Sequence, residues 1–113
     1  MKLPHAEKAI VQPEKIAGYL LNPTHRYGAS KAQFFMAFGF RAESAEQLRS
    51  ALLEHARANE VVRKRETGFG QRYEVHGGLN CPDGRRPLVR SVWQIEEGDI
   101  APRLITAYPL EEE

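Results

Sequence analysis

The apolar residues of this chain change their spacing once, at Glu60, and most of what the chain can fold into follows from that change. Before it they recur three and four apart, the period of a helix; after it they alternate, the period of a strand. Pro13 at a first helical position, with Glu14 behind it, opens a helix expected over 13–21 with Ile16, Ala17, Leu20 and Leu21 on one face. Ala29 or Ser30 opens a second helix carrying Lys31, Phe34, Phe35 and Phe38, which Gly39 stops as a left-handed C-terminal residue. Ser44 and Gln47 have the spacing of a capping box, and the helix they begin is expected to run to Asn59 with Leu48, Ala51, Leu52 and His55 inward. Strands are expected at 61–66, 71–76, 88–95 and 103–108, separated by Gly-, Pro- and Asp-containing turns. Helices first and strands after predict an α+β fold, with N-terminal helices packed on a C-terminal four-stranded antiparallel meander. A chain of 113 residues holds one modest core, so residues 1–113 are expected to form a single domain.

Several classes of function find no residues to support them. No apolar run approaches the roughly 20 residues of a membrane span, and the first residues lack the apolar stretch of a signal peptide, so a cytoplasmic protein off the membrane is expected. Cys81 stands alone, which excludes an internal disulfide and a cysteine-based zinc site. His55 shares its helix with Glu54 and no second histidine, and no acidic cluster offers a two-metal site. Gly68-Phe69-Gly70 lies in a hairpin, outside the strand-to-helix context of a dinucleotide site. Neither a metal nor another cofactor is therefore expected. The net charge of +1 conceals an uneven distribution: residues 1–95 hold 15 Lys and Arg against 9 acids, and residues 96–113 hold six acids against Arg103 alone. Arginine supplies 11 of the 16 bases, and its planar fork suits phosphate. A basic body with an acidic, solvated end is compatible with a polyanionic partner.

The stretch 22–40, NPTHRYGASKAQFFMAFGF, sets polar chemistry beside core-forming aromatics. Asn22-Pro23 breaks the preceding helix, and Gly28 is expected to supply a positive φ in the loop. The phenylalanines anchor the following helix while His25 and Lys31 stand at its entrance. His25 is either an acid–base group or a histidine capping its own turn. Lys31 is either a phosphate-binding cation or a solvated lysine in a first helical turn, where the helix dipole slightly disfavours it.

The opening KLPHAEKAIVQPEKIAGYLLNPTHRYGASKAQFF, with the later VRSVW and PRLITAYPL, resembles a family of small uncharacterised bacterial proteins that occur beside a small SH3-like protein in a toxin–antitoxin-like arrangement. The order of helices and meander, the early His/Lys loop-helix element and the Thr-x-Tyr-Pro ending are similar, more distantly, to the barnase–EndoU–colicin–RelE group of metal-independent ribonucleases. That likeness implies catalytic groups on the sheet face and on a preceding loop or helix, with RNA as substrate and an antitoxin-type SH3-like partner. It matches Thr106 and Tyr108 to the final-strand Ser/Thr and Tyr of the group. EndoU-type members carry two catalytic histidines, and here only His76 or His5 remains for the second.

Cleaving RNA without metal requires a base for the 2′-hydroxyl, an acid for the 5′-oxygen and cations against the phosphorane. The catalytic candidates are His25, Lys31, Arg90, Thr106 and Tyr108. Arg90 sits mid-strand, where a charge must reach solvent, a partner or a ligand; an oxyanion contact and a structural ion pair both satisfy it. Thr106 and Tyr108 share a sheet face by period two, although β-propensity explains them as well. Arg72, His76, Ser91 and Arg103 are substrate-binding candidates whose facing depends on strand register. Ser91 and Trp93 have the opposite parity to Arg90, and Trp93 is expected in the core. Two other readings compete: a non-catalytic module pairing with the SH3-like partner through the sheet or the charged edge 61–66, and simple nucleic-acid binding through the arginines.

Overall fold

The computed structural model describes residues 1–110; the acidic run 111–113, expected as part of a solvated tail, lies outside them. The fold is α+β, with helices first and a four-stranded antiparallel meander after them. A short lead-in is followed by α1 (Pro13–Lys15), which passes directly into a π-helical turn, Ile16–Leu20, closed by Leu21 N–H donating to the Ile16 carbonyl. Then come α2 (Ala29–Ala37) and α3 (Ala45–Ala58). The strands are β1 (Val61–Thr67), β2 (Gly70–Gly78), β3 (Leu88–Glu96) and β4 (Arg103–Pro109), paired in that order. Among the described residues no helix is long and apolar enough to cross a membrane.

The core lies between the helices and one face of the sheet. Tyr73, Val75, Val89, Trp93, Leu104 and Ala107 meet Leu48, Leu52 and Ala56 of α3, together with Ile16, Leu20, Leu21, Phe35 and Phe40. The helix-to-strand order expected from spacing is therefore present, and its strands extend only a residue or two beyond the expected limits. Gly39 has φ 100°, as its place after α2 requires.

Three local expectations are corrected, and one strand shows an irregularity. Ser44 caps nothing with its hydroxyl; a 3-10 turn (Ala42–Ser44), closed by Ser44 N–H to the Arg41 carbonyl, leads into α3 instead. Gly28 has φ −99°, so its backbone needs no glycine; its space does, because a Cβ there would overlap the Tyr19 carbonyl oxygen. Phe35 alone of the helical phenylalanines is fully buried, while Phe34 and Phe38 pack on each other half-exposed and Arg85 covers Phe38. Finally, β4 carries an extra residue. Val92 pairs Thr106 but Trp93 pairs Leu104, so Ile105 bulges out of the ladder. Leu104 and Ala107 are three apart and would face opposite ways in a regular strand; the bulge lets both enter the core.

Inside the core, His55 makes a closed polar network. Its Nδ1 lies 2.9 Å from Ser91 Oγ, and its Nε2 lies 2.9 Å from the Val89 carbonyl and 3.1 Å from that of Gly77. Carbonyls only accept, so the ring proton is on Nε2 and Nδ1 accepts from the Ser91 hydroxyl. Ser91 Oγ in turn accepts from Trp93 Nε1 at 2.8 Å. Every polar atom of the trio is thereby paired without water. Ser91, expected as a substrate-binding candidate, thus belongs to the core face.

Candidate functional site

The site candidates gather on the sheet face turned away from α3 and around the β4 edge. His76, Arg90 and Tyr108 are direct cross-strand neighbours on β2, β3 and β4. Arg90 donates from Nε to His76 Nε2 at 2.7 Å and from Nη1 to Tyr108 Oη at 2.9 Å. Its Nε also lies 3.4 Å from a carboxylate oxygen of Glu74, which reaches Arg63 at 3.8 Å on its other side. The mid-strand charge therefore has its ion pair, and the guanidinium is clamped by three side chains. Burial of the His76 ring, then the charge of Arg90, lower its pKa, with Glu74 opposing. The ring thus serves Arg90 as a neutral acceptor.

Around the β4 edge a second group forms on Tyr19. Its hydroxyl shares a 2.9 Å hydrogen bond with Thr106 Oγ1 and accepts from Lys31 Nζ. The Lys31 ammonium lies 4.8 Å from the centre of the Tyr19 ring and 5.6 Å from that of Tyr108, so it bridges the two groups. Burial raises the pKa of Tyr19, but the Lys31 and Thr106 hydrogen bonds and the charges of Lys31 and Lys15 outweigh it, and the net direction is downward. The π-helical turn places this residue. One extra residue per turn rotates Tyr19 off the regular helical spacing of Ile16 and Leu20, which remain fully buried, and turns it toward Thr106.

His25 joins this group edge-on, its ring centre 4.9 Å from that of Tyr19. The loop locks its orientation: the backbone N–H groups of Tyr27 and Gly28 both donate to His25 Nδ1 at 3.0 Å. Nδ1 is consequently an acceptor and the ring proton stands on Nε2. Asn22 Oδ1 braces the start of the loop by accepting from the Thr24 N–H and hydroxyl at 3.0 and 2.8 Å.

The contacts form a line rather than a ring: His25 to Tyr19, Tyr19 to Lys31 and Thr106, Lys31 to Tyr108, Tyr108 to Arg90, and Arg90 to His76 and Glu74. Two shallow depressions flank it. A cleft of about 540 Å³ is lined by His25, Tyr19, Tyr27 and Thr106 with the start of α1, and one of about 430 Å³ lies over Ser30, Lys31, Tyr108 and Pro109. Arg72 and Arg103 lie on the same sheet face as Arg90, in register with Gln94. Arg72 holds the Gln94 side-chain oxygen at 3.1 and 2.8 Å, and Arg103 pairs with Glu96. With Arg63 and Arg65 of β1, this face carries five arginines against Glu74 and Glu96. Among the described residues no group of three His, Cys, Asp or Glu could hold a metal ion.

The five catalytic candidates and His76 thus share one contact line, whereas Ser91 is on the other side of the sheet. Sequence reasoning missed Tyr19 and Glu74. Tyr19 three after Ile16 reads as a flank of an amphipathic helix, and its only signal was Lys15 four residues before it.

No curated protein matches the chain significantly in sequence. In three dimensions the chain is similar to one from a contact-dependent growth inhibition toxin–immunity protein complex of Klebsiella pneumoniae 342, with a TM-score of 0.70 at 14% identity, covering 95% of this chain and 97% of that one. At that identity the likeness speaks to the fold. A family model, Domain of unknown function (DUF6883), matches residues 2–111, nearly the whole sequence, and the chain belongs to that family.

Proposed function

We propose that this protein is a metal-independent endoribonuclease of toxin type, cutting RNA by transesterification. The observation that carries the reading is the unbroken contact line from His25 to His76, which joins a loop, a helix entrance and three strands beside an arginine-rich sheet face. In the reaction the 2′-oxygen attacks phosphorus, its proton passes to a base, and the phosphorus–5′-oxygen bond breaks as an acid protonates the leaving oxygen. Products are a 2′,3′-cyclic phosphate and a 5′-hydroxyl. The Lys31 ammonium is the acid, and His25, with its proton on Nε2, donates a hydrogen bond to a phosphorane oxygen. Tyr19 Oη, as the phenolate that the Lys31 hydrogen bond and charge favour, takes the 2′-hydroxyl proton. Lys31 and Arg90 offset the charge growing on the phosphorane, and Thr106 and Tyr108 supply hydroxyl donors to its oxygens. The likeness to a chain of a toxin–immunity complex supports a toxin-type role and a small protein as partner.

The test is to incubate purified protein with total RNA in EDTA and analyse the ends. Cleavage leaving cyclic-phosphate ends, lost in His25→Ala and Lys31→Ala, is expected. Intact RNA, or cleavage unchanged in both variants, overturns the proposal. A second reading, a non-catalytic module pairing with a small protein, is favoured by the open edge of β1, where Val62 is exposed among Arg63, Lys64, Arg65 and Glu66. Stable co-purification with a partner, with neither RNA cleavage nor growth inhibition by the free protein, would support that reading instead.

A further inference from the structure

We infer that the cleft beside His25 is a nucleobase subsite, in which the ring of Tyr27 stacks on one unpaired base of single-stranded RNA. The inference rests on the ribonuclease reading for the identity of its ligand. Three aromatic rings follow one another at this cleft: Tyr19, His25 at 4.9 Å from it, and Tyr27 at 6.3 Å from His25. The first two are engaged in the contact line. Tyr27 is not: it is 69% exposed, and its hydroxyl makes no hydrogen bond among the described residues. Its backbone is held at the cleft, because its own N–H donates to His25 Nδ1 at 3.0 Å. An aromatic face open to solvent on a pinned backbone is the platform on which bases stack irrespective of sequence.

The surroundings match a nucleotide. Arg26 lies 5.5 Å from the Tyr27 ring centre, and Lys15 lines the cleft, so cations stand where a backbone would pass. Thr106 and Tyr19 line the cleft as well and belong to the contact line that runs on to Lys31 and Arg90, which puts cations for a phosphate next to the subsite. Gln12 and Glu14 also line the cleft, with acceptors for the N–H groups on a base edge. A volume of about 540 Å³ falls within the range of small-ligand sites. A duplex keeps its bases stacked internally and offers none to this ring, so the subsite selects single strands.

The experiment uses fluorescently labelled 2′-O-methyl RNA oligonucleotides, which lack the attacking hydroxyl, and measures affinity by anisotropy. Tyr27→Ala should weaken binding roughly tenfold, as loss of one stacked base does, while Tyr27→Trp keeps it. A scan of single abasic sites should find one position where removing the base weakens the wild type but no longer affects Tyr27→Ala. Unchanged affinity in Tyr27→Ala, or additive losses at every abasic position, overturns the subsite. Absence of any binding to single-stranded RNA overturns both the subsite and the ribonuclease reading. Binding as expected, with ordinary RNA left intact in EDTA, sinks the cleavage proposal alone and leaves the subsite supported.

Discussion

Ser91→Ala is a single-atom change whose cost can be worked from the core network. The Ser91 hydroxyl is the acceptor for Trp93 Nε1 at 2.8 Å and the donor to His55 Nδ1 at 2.9 Å, and all three residues are buried. Alanine removes both partners at once and leaves an indole N–H and an imidazole nitrogen without partners in a dry interior. Each buried polar atom so orphaned costs about 1–3 kcal/mol, and partial relaxation brings the pair to roughly 2–4 kcal/mol. For a chain of this size that is a fall in Tm of roughly 10 °C. The assay is urea unfolding followed by the fluorescence of Trp93, the single tryptophan. With an m value of about 1–2 kcal/mol/M, the midpoint should fall by roughly 2 M at unchanged m. A loss below about 1 kcal/mol would show that the trio does not stabilise the fold as argued. If Ser91 instead served RNA, the variant would lose affinity and keep its stability, the reverse pattern.

Acid should weaken the same network. Desolvation holds His55 below the usual 6.5, with the Gly77 and Val89 carbonyls opposing and the charge of His76 adding to the lowering. The unfolded chain then takes up a proton more readily than the folded one, so this contribution is intact above about pH 6.5 and is lost as pH falls toward the folded value, at up to about 1.4 kcal/mol per pH unit. Urea midpoints measured between about pH 7.5 and 5 should decline, and the decline should shrink in His55→Gln; a flat wild-type profile contradicts the buried neutral imidazole. Gly28→Ala should destabilise by about 1–3 kcal/mol, because its methyl meets the backbone of Tyr19, whereas Gly68→Ala, with open space around it, should be near neutral. Equal midpoints for the two variants would show that the loop does not need a glycine for space.

The architecture was legible because periodicity is a property of neighbours in the chain. The change at Glu60, the proline at the start of α1 and the glycine after α2 each act within a few residues, and each is present as spacing implied. Capping was less legible. Ser44 and Gln47 have capping-box spacing, yet a 3-10 turn does the work, since several local geometries can serve the same helix end. The face of Ser91 was implied by its parity against Arg90, and its role emerged only when His55 arrived from α3, 36 residues away, to occupy its hydroxyl.

From the chain alone came the order of helices and strands, the basic character of the body and the residue types able to handle a phosphate. Only the folded molecule decided that residues 25 and 31 meet residues 106, 108 and 90, and that Tyr19 joins them. Two irregularities accomplish this: the π-helical turn that rotates Tyr19 outward and the bulge at Ile105 that lets Leu104 and Ala107 be buried with Thr106 and Tyr108 still facing out. Each inserts one residue into a repeating pattern. Such an insertion is favoured by packing against distant segments, so the spacing of neighbours along the chain carries no trace of it.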